Sequence, residues 1–209
     1  MSRSVEQFVL FVGVDIELFK FCFGDDKKWS PFELRDFPLP TTAGSAQSLG
    51  DDLRAVLDSP GLSSVVIQDA DIFMYDHVGV GQAIKQYYDR GGIVCYFGIM
   101  GEHSDLAVLN TLFDLNGQWQ YMACTSHEYE MTNSAQLVIG YEVMRQQYTK
   151  SNLLRVPIQD RWMVDKYEQC PLAVRKNSNG GRLAYLGFVN GDGNIPRIVK
   201  SVLTKKYQY

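Results

Sequence analysis

Cys124-Thr125-Ser126-His127-Glu128 puts a thiol, an imidazole and a carboxylate in one short run, and a cysteine beside a histidine is the least that thiol catalysis requires. The spacing argues against it. Side chains alternate along an extended strand, so Cys124 and His127 point to opposite faces unless the chain turns between them. The other cysteines, Cys22, Cys95 and Cys170, are scattered without a Cys-x-x-Cys pair and read as reduced thiols. Cys95, inside an apolar run, reads as a small buried hydrophobe. The histidines, His77, His103 and His127, are too separated for a recognised local metal site, although Asp76-His77 and Glu102-His103 could converge in the fold. Zinc asks for three or four convergent ligands, so no metal is expected. No P-loop follows the first apolar run, and Gly79-Val80-Gly81 lacks the rest of a dinucleotide fingerprint. Nucleotide cofactors are therefore not expected.

A second group of candidates depends on the elements that would position it. Phe8 to Val14 is too apolar for a strand with a wet face and reads as a doubly covered central strand. Ser63 to Asp69 and Ile93 to Ile99 read the same way. Between them, Leu49 to Leu57 and Val78 to Asp89 carry apolar residues at helical spacing, as do Ser104 to Phe113 and Asn194 to Leu203. Residues from Asp25 to Ser48, with three prolines, read as a long connection. A further strand is expected around Trp119 to Thr125. Alternating strands and helices imply right-handed crossovers and a parallel sheet covered on both faces. The carboxyl ends of such strands meet at one edge, where these sheets usually bind ligands. Asp15, Gln68, Asp71 and Met100 are the ligand-contact candidates there, and Asp69, Glu102 and His103 the acid–base candidates. A polar residue at a strand end also caps a helix or faces water.

Late in the chain, Pro171 to Arg175 and Arg182 to Val189 flank Asn177-Ser178-Asn179-Gly180-Gly181. Those turn residues tolerate positive φ, so the segment reads as a hairpin added at the edge of the sheet.

The helix ending in Asp89-Arg90-Gly91-Gly92, the strand after it, and the Gly98-Ile99-Met100-Gly101 elbow resemble the central unit of the class I glutamine amidotransferase-like superfamily. That flavodoxin-like group includes ThuA-like proteins and trimerisation domains of some β-galactosidases. The stretch from Pro171 to Asp192 is similar to its carboxyl-terminal hairpin and strand. The resemblance implies a three-layer flavodoxin-like fold, with a mostly parallel sheet and an antiparallel carboxyl-terminal hairpin at its edge. It also implies a cysteine nucleophile at the elbow and a late histidine. Met100 stands where the nucleophile would be, and no histidine follows His127. A thioether cannot attack a carbonyl, so the catalytic residues are absent.

The chain has 209 residues, 45% of them hydrophobic and 21% charged, with a formal net charge of −4. These values fit one α/β domain over residues 1–209 and offer no general attraction for nucleic acid or an anionic membrane. Arg197, Lys200, Lys205 and Lys206 form a local basic group that also fits a solvated helix face. The first apolar run is far shorter than a membrane span, and no export signal is visible, so a cytoplasmic protein is expected. Twelve tyrosines, many in the second half, fit either a self-assembly surface or the rim of a core. The expectation is a non-catalytic protein with a binding, structural or self-assembling role, forming a homo-oligomer. The alternative is a hydrolase using Asp69, Glu102 and His103.

Overall fold

The computed structural model describes residues 6–40, 46–70, 73, 77–98, 103–135, 146–191 and 193–204, except the side chains of 46, 47, 103–105, 146 and 147. Its strands are β1 (Phe8–Val12), β2 (Glu33–Phe37), β3 (Leu62–Ile67), β4 (Ile93–Phe97) and β5 (Gln120–Met131), then β6 (Gln146–Arg155), β7 (Arg161–Val164), β8 (Leu172–Lys176) and β9 (Arg182–Leu186). The helices are α1 (Ile16–Phe23), α2 (Asp26–Trp29), α3 (Ala46–Leu57), α4 (Val78–Asp89), α5 (His103–Leu112) and α6 (Ile195–Thr204).

β1 shows why this half of the sheet forms. All five of its residues are apolar and buried, and successive side chains leave opposite faces of a strand. Val9 and Phe11 enter one core with Phe19 and Phe23 of α1 and Ile198, Val199 and Val202 of α6. Phe8, Leu10 and Val12 enter the other, with Leu53 of α3, Val80 and Ile84 of α4 and Leu109 of α5. Edge-to-face contacts of Phe19 with Phe11 at 4.8 Å and with Phe97 at 5.4 Å lock α1 onto the sheet.

The expected mostly parallel, flavodoxin-like sheet is corrected here. Among the described residues the nine strands form one mixed sheet, ordered β2-β1-β3-β4-β9-β8-β7-β5-β6. β1–β2, β1–β3, β3–β4 and β4–β9 are parallel, whereas β5–β6, β5–β7, β7–β8 and β8–β9 are antiparallel. The β8–β9 hairpin therefore lies inside the sheet, at the point where pairing changes sense, and not at an edge.

The local reading could not see this, because a turn fixes the pairing of its two strands and says nothing about their outer neighbours. The turn itself has the chemistry its residues promise. Asn177 Oδ1 accepts from the amides of Asn179 (3.0 Å) and Gly181 (2.7 Å), while its Nδ2 donates to the Tyr88 carbonyl at the end of α4. The strand expected around Trp119 to Thr125 is β5, which runs on to Met131 and alternates exposed and covered residues over much of its length; β2 is a charged edge strand inside the segment read as a connection. No helix among the described residues is long and apolar enough to cross a membrane.

Candidate functional site

Of the sequence candidates at the carboxyl edge of the parallel strands, Asp15, Gln68 and Asp69 lie among the described residues. Asp15 is exposed and caps α1, accepting from the amides of Glu17 and Leu18 at 3.0 Å each. Gln68 is half-buried just past β3, its Oε1 without a partner among the described residues. Asp69 beside it is exposed. Asp71, Met100, Glu102 and the side chain of His103 lie outside the described residues; the backbone of His103 opens α5.

What meets the end of β4 is β6. The buried Asn152 donates from Nδ2 to the Gly98 carbonyl at 2.7 Å, and its own amide donates to the Gly187 carbonyl at 2.7 Å. Tyr185, fully buried on β9, donates to the Asn152 carbonyl at 3.3 Å. Burial pushes that phenol well above its ordinary pKa, so it is a neutral donor. The same ring lies against Gly98, where a Cβ would come within 2.5 Å of it. Backbone bridges Ser151–Phe188 and Leu154–Cys170 continue the seal. β6 thus lies across the carboxyl ends of β4 and β9, at the elbow where an amidotransferase-like enzyme would hold its nucleophile.

A different pair comes together farther along the sheet. His127 Nδ1 sits 2.7 Å from Asp165 Oδ2, and the Asp165 side chain is fully buried. The other Asp165 oxygen accepts from the amides of Tyr167 (2.8 Å) and Gln169 (2.9 Å), which holds the carboxylate in the turn after β7. A carboxylate only accepts, so Nδ1 is the donor and the contact fixes the orientation of the His127 ring. The pair borders a cavity of about 450 Å³ that also involves Glu128, Glu130, Tyr148 and Lys166. Tyr167 stacks obliquely on His127 with ring centroids 5.7 Å apart. Tyr148 and Tyr167 are 69% and 60% exposed, whereas Trp119, Tyr129 and Trp162 complete the core. Of these five aromatics, two face solvent and three lie in the core.

Sequence reasoning singled out His127 beside Cys124 and expected the two side chains to point apart. β5 pairs with β6 without interruption from Ala123 to Glu130, so those two side chains do fall on opposite faces. The real partner is 38 residues away, and no local spacing signals it.

No protein-family model matches this chain, and no curated protein matches it. Among solved structures the chain is similar to the "mmIFT52 N-terminal domain", with a TM-score of 0.58 and 13% identity over 97% of this chain and 100% of that one. At that identity the likeness concerns the fold alone.

The amidotransferase-like, ThuA-like resemblance is overturned by these findings. Its short glycine-bearing motifs report strand-to-helix turns that many α/β sheets need, and the mixed sheet with β6 over the elbow is a different architecture. Three of the four thiols, Cys22, Cys95 and Cys170, are buried. Burial pushes the thiol of Cys95 far above its ordinary pKa, and that of Cys170 up to about 12; Cys22 is also raised by burial. Only a thiolate attacks, and these groups stay protonated at neutral pH. Cys124 is the exposed cysteine. Iodoacetamide at neutral pH is therefore expected to modify the folded chain once, at Cys124, with the other three reacting only after denaturation. Peptide mass spectrometry that found Cys95 labelled as fast as Cys124 would contradict this.

Proposed function

We propose that residues 1–209 act as one non-catalytic binding module that contributes surface to an assembly. The observation that carries this reading is the Asn152 seal. Open α/β sheets usually bind ligands in the crevice at their strands' carboxyl ends, and here the antiparallel half is packed onto that position at β4 and β9. The exposed groove beside His127 and Asp165 has instead the features of an interaction surface: solvent-facing tyrosines, a fixed imidazole and charged rims. The neighbour of similar fold is named as one domain, which agrees with a module that works as part of something larger.

Two measurements test the reading together. Light scattering after size-exclusion chromatography, over a wide concentration range, is expected to show association. A panel of ester, amide and phosphate substrates is expected to give no turnover that depends on Asp69 or His127. Turnover abolished by Asp69→Asn or His127→Ala in a folded protein would replace the binding reading with a hydrolytic one.

A further inference from the structure

Three asparagine–glycine pairs occur in the chain, Asn116-Gly117, Asn179-Gly180 and Asn190-Gly191. In such a pair the backbone nitrogen of the glycine can attack the side-chain amide before it, because glycine has no Cβ to obstruct the approach. The reaction needs both groups free to meet, and the fold treats the three pairs differently.

Asn179 Nδ2 donates to the Asp89 carbonyl at 2.8 Å and the Gly180 amide donates to the Asn177 carbonyl at 3.2 Å, so electrophile and nucleophile are both tied. Asn190 is exposed, but its carbonyl accepts from Thr149 Oγ1 at 3.3 Å, and Gly191 is wedged against the Cys22 backbone, where an added Cβ would overlap the carbonyl oxygen. Neither pair can swing. Asn116 and Gly117 are exposed at the tip of the link between α5 and β5. Their φ values of 53° and 69° are those of the central residues of a type I′ turn, closed by the Gln118 amide donating to the Leu115 carbonyl at 3.0 Å. A Cβ on Gly117 would meet nothing within 4 Å, and neither the Asn116 side chain nor the Gly117 amide has a hydrogen-bond partner among the described residues.

We infer that Asn116 is a site of spontaneous covalent modification in the folded chain, closing on Gly117 to a succinimide that opens to an isoaspartyl or aspartyl residue. The Gly117 nitrogen bonds to Cγ of Asn116 and gives up its proton, while the Cγ–Nδ2 bond breaks and the side-chain nitrogen leaves as ammonia. Water then opens the ring. Breaking the bond from nitrogen to Cγ gives aspartate, and breaking the bond from nitrogen to the main-chain carbonyl carbon gives isoaspartate. Ring closure breaks at most the Gln118–Leu115 bond. The ends of the link hold without it: Asn110 accepts from the Trp119 amide at 3.2 Å, donates to the Trp119 carbonyl at 2.8 Å, and its own carbonyl accepts from the Leu115 amide at 2.8 Å. The product carries a new carboxylate on a link, Leu115 to Trp119, that is otherwise uncharged. The reaction class that consumes the isoaspartyl form is methyl transfer to that carboxylate.

Timed incubation of the full chain tests it, folded at neutral and mildly alkaline pH and, in parallel, unfolded in guanidinium chloride. Peptide mass spectrometry follows conversion at each of the three asparagines. Methyl incorporation by a protein-isoaspartate methyltransferase measures the isoaspartyl product independently. Asn116→Gly is the control, since glycine accepts the positive φ without strain and has no side-chain amide. Circular dichroism confirms that this variant is folded.

In the folded chain Asn116 is expected to convert about tenfold or more faster than Asn179, whose pair must first open two hydrogen bonds, and faster than the wedged Asn190. Its rate is expected to rise with pH, because the attacking nitrogen must lose a proton. Methyl incorporation is expected to fall to background in Asn116→Gly. Unfolded, the three sites are expected to convert at similar rates, since glycine follows each of them. A folded chain in which Asn116 converts no faster than Asn179 or Asn190, or stays intact while the unfolded chain converts, overturns the assignment. Methyl incorporation undiminished in Asn116→Gly places the isoaspartyl residue elsewhere and overturns it as well.

Discussion

Replacing Gly187 by alanine is expected to unseat β6 from the carboxyl ends of β4 and β9. A Cβ at this position would overlap the Asn152 backbone carbonyl and press on the Tyr185 ring. Gly187 accepts the Asn152 amide at 2.7 Å and donates to the Pro171 carbonyl at 2.9 Å, so neither backbone can retreat without breaking bonds. Overpacked sites cost about 1–3 kcal/mol, occasionally more, and a clash with backbone belongs at the top of that range. The checks are a lower midpoint in urea unfolding and faster hydrogen exchange at the Asn152 and Leu154 amides, whose acceptors lie on this seam. Gly180→Ala is an informative control. Gly180 has a positive φ of 82° but nothing within 4 Å of an added Cβ, so its penalty is conformational and should leave exchange at Asn152 unchanged. Unaltered exchange at Asn152 in Gly187→Ala would show that β6 is not seated as described.

Removing the Asp160 carboxylate is expected to have a comparable or larger effect. Asp160 is buried at the end of a short 3₁₀ turn, Ile158–Asp160. Its oxygens accept the Trp119 indole N–H at 2.9 Å and Arg175 Nε at 2.8 and 2.9 Å, with Arg175 Nη2 at 2.7 Å. Arg175 also donates to Gln118 at 2.6 Å. One carboxylate thus ties β8, the chain entering β5 and the turn before β7. Asp160→Ala leaves a mostly buried guanidinium and an indole N–H without that acceptor, and breaking a buried pair from one side costs about 3–5 kcal/mol. Combining Asp160→Leu with Arg175→Met removes both charges and is expected to be markedly milder than Asp160→Ala. Urea midpoints decide it; equal losses in the two proteins would mean that the pair contributes packing volume and little electrostatic stabilisation.

These two sites lie in the half of the molecule that local patterns conveyed least. β1, β3 and β4 are legible because strands buried on both faces must be continuously apolar, and FVLFV or IVCYF fits little else of that length. The helices α4 and α6 are legible because their buried residues recur at helical spacing. By contrast β5 and β6 are long, half-wet and polar. Thr149 and Asn152 are nevertheless buried in β6, where Thr149 donates to the distant Asn190 carbonyl and Asn152 to that of Gly98. Hydrophobic patterning cannot announce a polar residue that is buried by being satisfied.

The candidate sites divide in the same way. The sequence by itself determined that the chain builds an α/β core, that no cysteine stands at the Gly98–Gly101 elbow, and that no compact metal or nucleotide motif is present. It also marked Asn177 to Gly181 as a turn, because turn chemistry is local and carried by the residues themselves. Tertiary structure alone decided that the hairpin lies mid-sheet, that Asn152 closes the end of β4, and that His127 finds Asp165. Each of these is a contact between segments tens of residues apart, and strand order sets it. The identity of a strand's outer neighbour depends on which pairing buries the most surface and satisfies the most backbone groups across the whole chain, a global balance that no local window contains.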